Sequence, residues 1–382
     1  MNRRTVDVII YESSSFGGCY DYSIALHKAY RKDSRVSACT LLLPRNAQVE
    51  LEGVCGRLVS DQPRSLTKFH FLWRQLVNPI RLFWFVRGLP QSLVLFNDFE
   101  QLTSFLWVWL FKQFAGQHTY AVFLHDPDRD AYPPSKSISS WCMRHMMSLM
   151  EWGFYHESLP ERSYYSHKPT KYLSLPHGIY GLPSPDKELF ASLSTQKGDR
   201  TLMLILGAIR SEKNYRLAIS LLPEFPEVDL LIAGKPASSR ETTEALSSLA
   251  REFGVEDRVI IIDRFLSYAE MSACVEVCDI VWLNYARSFQ SQSAIFNTIA
   301  PYQKKILVAG GDSAMARLAD QFHVGKTVVP DDFESARTGL AELLQAQDPD
   351  WRKYLEYASW DRQIDTVLNR LTDNEVVNEE SA

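Results

Sequence analysis

The residues of this 382-residue chain whose types and spacing best suit chemistry lie at 201–214, TLMLILGAIRSEKN. Leu202–Leu206 reads as a buried strand, Gly207 as a turn, and Tyr215–Leu222 as an amphipathic run, so Arg210 and Lys213 fall in a strand–turn–helix connection. Such a connection presents backbone N–H groups and the positive end of a helix to an anion, and glycine lets a ligand approach the backbone closely. Two cations in that turn suit a diphosphate. Standing alone, the same pattern is equally a solvated turn.

A second constellation ends another apolar strand. Tyr120–Leu124 runs straight into His125-Asp126-Pro127-Asp128. A histidine at the carboxyl end of a parallel strand sits where open α/β sheets bind ligands. It can act as a general base or donate to a substrate hydroxyl, or it can simply satisfy loop backbone. Asp126, Asp128 and Asp130 alternate, but they read as a loop beside His125 rather than as a metal site. Gly17 and Gly18 follow the strand Val6–Tyr11 and precede the helical run Tyr22–Tyr30. They lack the GxGxxG spacing, so they form either a loop open to a ligand or a plain tight turn, not a dinucleotide site.

These residues need a scaffold of alternating strands and helices. In the first half, strands are expected at Val6–Tyr11, Arg35–Leu43, Leu93–Phe96, Tyr120–Leu124 and Tyr172–Leu175, with Ser137–Tyr155 helical. Met143, Met146, Met147 and Met150 within that helix suit core packing better than a cofactor box. The stretch Gly181–Asp199, rich in Pro, Ser, Lys and Asp, reads as the domain boundary. Beyond it, strands are expected at 202–206, 228–233, 259–262, 279–284, 305–309 and 326–329, with helices at about 214–222, 239–253, 268–276, 292–300, 313–321 and 333–345. This rhythm predicts two doubly wound parallel-sheet α/β domains, and a cleft between two such domains is a natural ligand site.

Composition narrows the function classes. A net charge of −5 argues against general nucleic-acid binding. The six cysteines show neither CxxC nor metal-type spacing, and Cys274 and Cys278 read as buried thiols in a reducing compartment. The opening MNRRTVDVIIYE has too short an apolar run for a signal peptide. Residues 62–97 stand out: Arg64, Lys68, Arg74, Arg81 and Arg87, no acidic residue, and interleaved Phe69, Phe71, Trp73, Phe83, Trp84 and Phe85. Arginines recur too often there for a membrane span, which needs about 20 largely uncharged residues. The segment either lies on an anionic membrane surface or buries its rings and solvates its arginines. The run Phe105–Phe111 reads as a core helix, and Trp351–Leu371 as one amphipathic helix followed by a frayed acidic tail.

The segments LILGAIRSEKN, LLIAGKP, LAREFGVEDRVIIIDRFLSYAEMSACVEVCDIVWLNY and KKILVAGGDSAMARLADQFHVGKTVVPDDFESARTGLAELL, in this order and spacing, resemble the second domain of GT-B glycosyltransferases. The resembling group is the large retaining, nucleotide-sugar-dependent one, group 1; VFLHDPD and LPHGIY in the first half agree more loosely. The resemblance implies a GT-B architecture of two Rossmann-like domains facing a cleft: 1–185 on the acceptor side, 186–355 binding the donor, and 356–382 crossing back to the first domain. It implies transfer of a sugar, of hexosyl type, from a nucleotide-diphosphate sugar to a hydroxyl acceptor in polysaccharide or glycolipid synthesis. Retention at the anomeric carbon, no metal and no cofactor beyond the donor go with it.

Position by position, the resemblance puts Arg210 and Lys213 on the donor diphosphate, with Gly207 in the turn and His125 against the transferred sugar. Gly17 and Gly18 face the donor phosphates, and the backbone of Phe265 and Leu266 meets the base. The family's arginine directly follows the glycine, where this chain has Ala208. The family's paired glutamates, eight residues apart, align with Phe289 and Asn297. Ser291, Gln292 and Ser293 then head the helix as substitutes for binding sugar hydroxyls or phosphate. The partners expected are the donor and a glycan or lipid-linked acceptor, with an anionic membrane touched through 62–97, on the inner face of the cell membrane. The rival reading is a catalytically inactive GT-B-like binding or partner subunit.

Overall fold

A computed structural model describes residues 5–61, 68–129, 135–166, 170–237, 242–289 and 293–379, the final eight as backbone alone. The chain forms two compact units, Met1–Gly178 with Ser359–Ala382, and Ile179–Ala358.

The first unit holds seven strands, β1 (Val6–Tyr11), β2 (Val36–Pro44), β3 (Val54–Leu58), β4 (Ser92–Phe96), β5 (Thr119–Leu124), β6 (Trp152–Tyr155) and β7 (Lys171–Ser174). All pair in parallel, in the order β3-β2-β1-β4-β5-β6-β7. Helices α1 (Gly18–Tyr30), α2 (Lys68–Val86), α3 (Ser104–Phe114) and α4 (Lys136–Met147) cover it. The central strands are short apolar runs buried on both faces, as a helix-covered parallel sheet requires.

The second unit opens with α5 (Lys187–Lys197) and builds six parallel strands, β8 (Thr201–Leu206), β9 (Val228–Ala233), β10 (Val259–Ile262), β11 (Ile280–Leu283), β12 (Lys305–Ala309) and β13 (Lys326–Val328), ordered β10-β9-β8-β11-β12-β13. Between and after them run α6 (Tyr215–Leu221), α7 (Thr243–Glu252), α8 (Tyr268–Val277), α9 (Ala294–Ile299), α10 (Ala314–Phe322), α11 (Phe333–Gln345) and α12 (Arg352–Tyr357). Both sheets are doubly wound. Strand order reverses between β1 and β4 in one and between β8 and β11 in the other, and such points hold ligands in open α/β sheets.

The last helix, α13 (Trp360–Glu379), belongs to the first unit. Gln363 donates to the Tyr22 hydroxyl and to the Pro176 carbonyl, and Asp365 pairs with Arg35. Trp360 lies so close over Gly178 that a β-carbon there would fall 2.3 Å from the indole.

Several expectations need correction. The helix expected over Ser137–Tyr155 ends at Met147, and Trp152–Tyr155 pairs as β6 instead. Gly153 leaves room for the Tyr172 ring of β7, whose carbons would lie 2.8 Å from a β-carbon. The polar stretch 181–199 is not all linker: the Asp186 side chain accepts from Leu189 N–H and starts α5. Trp351–Leu371 is two helices, broken after Tyr357, and the second continues through Glu379. The four methionines of 143–150 are core, as expected.

No helix among the described residues is long and apolar enough to cross a membrane. Phe83 is buried, yet Phe69, Trp73 and Trp84 stand 84%, 57% and 63% exposed. Nor is 105–111 wholly core, because α3 exposes Phe105, Leu106 and Trp109.

Candidate functional site

The turn after β8 stands at the reversal point of the second sheet. Gly207 has φ +90°, a left-handed conformation natural to glycine, and its N–H donates to the Ala233 carbonyl. Ser211–Lys213 then form a 3-10 turn, Asn214 is left-handed, and only seven residues of α6 follow. The helix expected at about 214–222 thus forms as Tyr215–Leu221. The turn presents backbone and side chains, not the end of a long helix.

Lys213 is built in rather than waving in solvent. Trp282 of β11 donates its indole N–H to the Lys213 carbonyl at 3.0 Å. The side chain is 3% exposed and its ammonium donates to the Leu206 carbonyl, beneath Gly207. Burial, with Arg210 adding, pulls its pKa from the ordinary lysine value to about 7. Arg210 is exposed on the same turn. Across the reversal point, Ala286 N–H donates to the Glu212 carbonyl at 2.7 Å, tying the loop after β11 to this turn. Asn284 in that loop is wholly buried, and neither its Oδ1 nor its Nδ2 bonds to a described residue. A buried carboxamide with both ends unmet is costly, and it marks this strand end as polar ground for a ligand. Nothing local in the sequence signals Asn284; only the pairing of β8 with β11 reveals it.

The other expected donor residues separate. Phe265 is 82% exposed in the turn after β10, with Leu266 anchored in the core. Ser293 caps α9, accepting from Ile295 N–H, and lies 3.1 Å from the Tyr285 hydroxyl. Ser291 and Gln292 fall outside the described residues. Asn297 requires correction. It is fully buried on α9, its Oδ1 taking the Tyr354 hydroxyl proton, and it is not presented to a ribose. Phe289 packs at 4.8 Å against the Tyr285 ring, an apolar contact where the resemblance implies a carboxylate.

In the first unit, Gly17 and Gly18 begin α1 at the sheet's reversal point, and open space lies where their β-carbons would be. His125 follows β5 directly, but general-base work does not suit it. Its Nε2 bonds Asn97 Oδ1 at 2.9 Å, its Nδ1 faces His156 Nε2 at 3.2 Å, and burial drives its pKa well down. Asn97, at the end of β4, donates to Glu12 and to the Cys19 carbonyl. Burial raises Glu12 to about 8, with Asp98 adding, and Glu100 to about 7. Reading the sequence singled out none of Glu12, Asn97, Glu100 or His156. Each is a lone polar residue near a strand end, and proximity appears only once the strands are ordered.

No protein-family model matches the chain, and no curated protein matches it in sequence. Solved structures do. α,α-Trehalose 6-phosphate synthase from Burkholderia multivorans is similar over 99% of this chain and 98% of its own, at 13% identity and TM-score 0.67. HepE from Anabaena in complex with UDP is similar over 96% and 100%, at 14% and 0.65. WaaG, a glycosyltransferase involved in lipopolysaccharide biosynthesis, is similar over 94% and 99%, at 13% and 0.61. At these identities the likeness is one of fold, and the fold is that of the GT-B glycosyltransferases: two Rossmann-like units, each on its own parallel sheet.

Proposed function

We propose that this chain is a glycosyltransferase moving a sugar from a nucleotide-diphosphate sugar to a hydroxyl acceptor, with retention and with no metal on the diphosphate. The observation that carries the reading is the Gly207 turn, where Arg210 and a built-in Lys213 sit at the reversal point of the second sheet. HepE, of the same fold, has been solved with UDP and with UDP-glucose. The donor's anomeric carbon–oxygen bond breaks, its electron pair leaves with the diphosphate, and the acceptor oxygen takes the carbon while its proton passes to a phosphate oxygen. Arg210 and Lys213 hold the charge that develops on the departing diphosphate. Phe265, exposed in the turn after β10, covers the base. His125 is given no proton-transfer role, because its Nε2 is held by Asn97 and its Nδ1 faces His156 within the fold.

The acceptor is lipid-linked and is reached at an anionic bilayer surface. Helices α2, α3 and α4 together carry six Lys/Arg and no Asp/Glu. Trp84 and Trp109 project from α2 and α3, and Phe105 of α3 lies tilted at 4.8 Å against Trp141 of α4. Aromatic rings among cations suit the headgroup region, where each cation adds about 1 kcal/mol near anionic lipid. The described part of 62–97 thus favours the membrane surface over a purely solvated arginine face. Phe289 in place of a carboxylate favours one other reading, an inactive GT-B-like subunit. A panel of UDP- and GDP-sugars, assayed for nucleoside diphosphate release with and without lipid extract, separates the two: release that depends on lipid is expected, and none with any donor supports the inactive subunit.

A further inference from the structure

Three consecutive strands of the first sheet each deliver a histidine just beyond their carboxyl ends: His125 after β5, His156 after β6 and His177 after β7. Each offers a ring nitrogen, and these three atoms lie within 4.8 Å of one another. The Tyr22 ring packs edge-on against His125 at 4.5 Å and His177 at 5.3 Å, and Trp360 covers the same tyrosine at 4.9 Å.

The hydrogen bonds around this cluster fix two tautomers. Asn97 Nδ2 lies 2.8 Å from the Cys19 carbonyl, an acceptor only, so the amide orientation is set and Oδ1 faces His125. His125 must therefore carry its proton on Nε2, which leaves Nδ1 bare. His156 Nδ1 lies 3.0 Å from the Leu175 carbonyl, also an acceptor only, so that nitrogen carries the proton and Nε2 is bare. The two bare nitrogens then face each other at 3.2 Å. Two facing lone pairs call for a proton or a cation between them, and a third imidazole nitrogen converging within 4.8 Å favours a cation that all three can bind. His177 brings the third nitrogen, while its Nδ1 lies 3.3 Å from the Gly178 carbonyl.

We propose that His125, His156 and His177 form a three-imidazole site for a divalent transition metal, zinc. Neutral imidazole is a preferred zinc ligand, and three of them leave a fourth position for water. Ligating histidines characteristically give their other N–H to a carbonyl, as His125 does to Asn97 Oδ1 and His156 to Leu175. The site lies wholly within the first unit, so it braces the ends of β5, β6 and β7, and it is separate from the cations assigned to the donor diphosphate. It stands independently of the proposed activity.

The test uses the full chain, loaded with zinc, freed of excess and analysed for metal. About one zinc per chain is expected, with a melting temperature that a chelator lowers and zinc restores. Cobalt in its place should give the visible bands of a tetrahedral site. His156→Ala and His177→Ala should each weaken zinc binding by at least about tenfold and abolish the chelator effect. If either variant fails to fold, the cobalt spectrum and chelator shift of the wild-type chain still decide. Wild-type chain that holds no zinc or cobalt and melts alike with zinc or chelator overturns the site, and leaves the facing nitrogens to protonation. Undiminished zinc in both histidine variants also overturns it, by placing the metal elsewhere.

Discussion

A β-carbon on Gly207 would lie 3.2 Å from the ammonium of Lys213, so the glycine and the lysine are cut to fit each other. The lysine threads beneath the turn that the glycine allows, and its ammonium rests on the carbonyl of Leu206, one residue earlier. Gly207→Ala should therefore disturb two things at once. It forces alanine to φ +90°, at a cost of about 1 kcal/mol or more, and it crowds the lysine. Chemical denaturation should show the destabilisation, and calorimetry a nucleoside diphosphate affinity at least about tenfold weaker. Unchanged affinity in a folded variant would detach the turn from donor binding.

Lys213 also gives binding a pH dependence of definite sign. Its pKa in the free chain is about 7, so above that pH the ammonium is increasingly neutral. A bound diphosphate favours the charged form, and binding takes up a proton. Affinity should fall as pH rises from about 7.5 to 9, by up to about tenfold per unit. Calorimetry in two buffers of different ionisation enthalpy measures the uptake. Lys213→Met should bind weakly, with no such slope.

Much of the scaffold was legible in the sequence because buried parallel strands are unbroken apolar runs. Val228–Ala233 and Lys305–Ala309 lie where the pattern put them, and so does the turn at Gly207. Trp152–Tyr155 was hidden because four residues after a methionine-rich helix continue its apolar spacing. Its strand identity comes from pairing with β5 and β7, which are distant in sequence. Asn297 was misplaced for a related reason: a short helix can turn a polar residue inward when Tyr354, 57 residues later, is there to meet it. The histidine cluster and Asn284 depend on strand order, which no local pattern contains.

Stability should fall with rising pH through the carboxylates of the first unit. Glu100 accepts from the Tyr11 hydroxyl and from Asn78 Nδ2, and burial lifts its pKa to about 7. Between the unfolded value of about 4.3 and about 7, the folded chain holds a proton that the unfolded chain has lost. That stabilisation is full below the unfolded value and drains away as pH rises towards 7, by at most about 1.4 kcal/mol per unit. Glu12, also raised, acts in the same direction. Urea midpoints at pH 5 and 7.5 should differ accordingly, and Glu100→Gln should flatten the difference. A midpoint that rises with pH would contradict the assignment.

Attachment to a bilayer should be weak, salt-sensitive and dependent on rings as well as charge. Trp84→Glu with Trp109→Glu places two carboxylates on a face that has none. Co-sedimentation with anionic vesicles should be lost in this variant and reduced by high salt in the wild type. Equal pelleting of both proteins, or none of either, would leave a soluble acceptor.

The most direct measurement is a calorimetric titration of UDP into the full chain, beside Arg210→Ala and Lys213→Ala. Saturable binding by the wild type is expected, weakened in each variant by about 1.5–3 kcal/mol, the value of a charge-assisted contact. If GDP binds where UDP does not, the turn still holds a diphosphate and only the base differs. Equal affinities in the wild type and both variants, or no binding of either nucleotide, would contradict a donor site at the Gly207 turn.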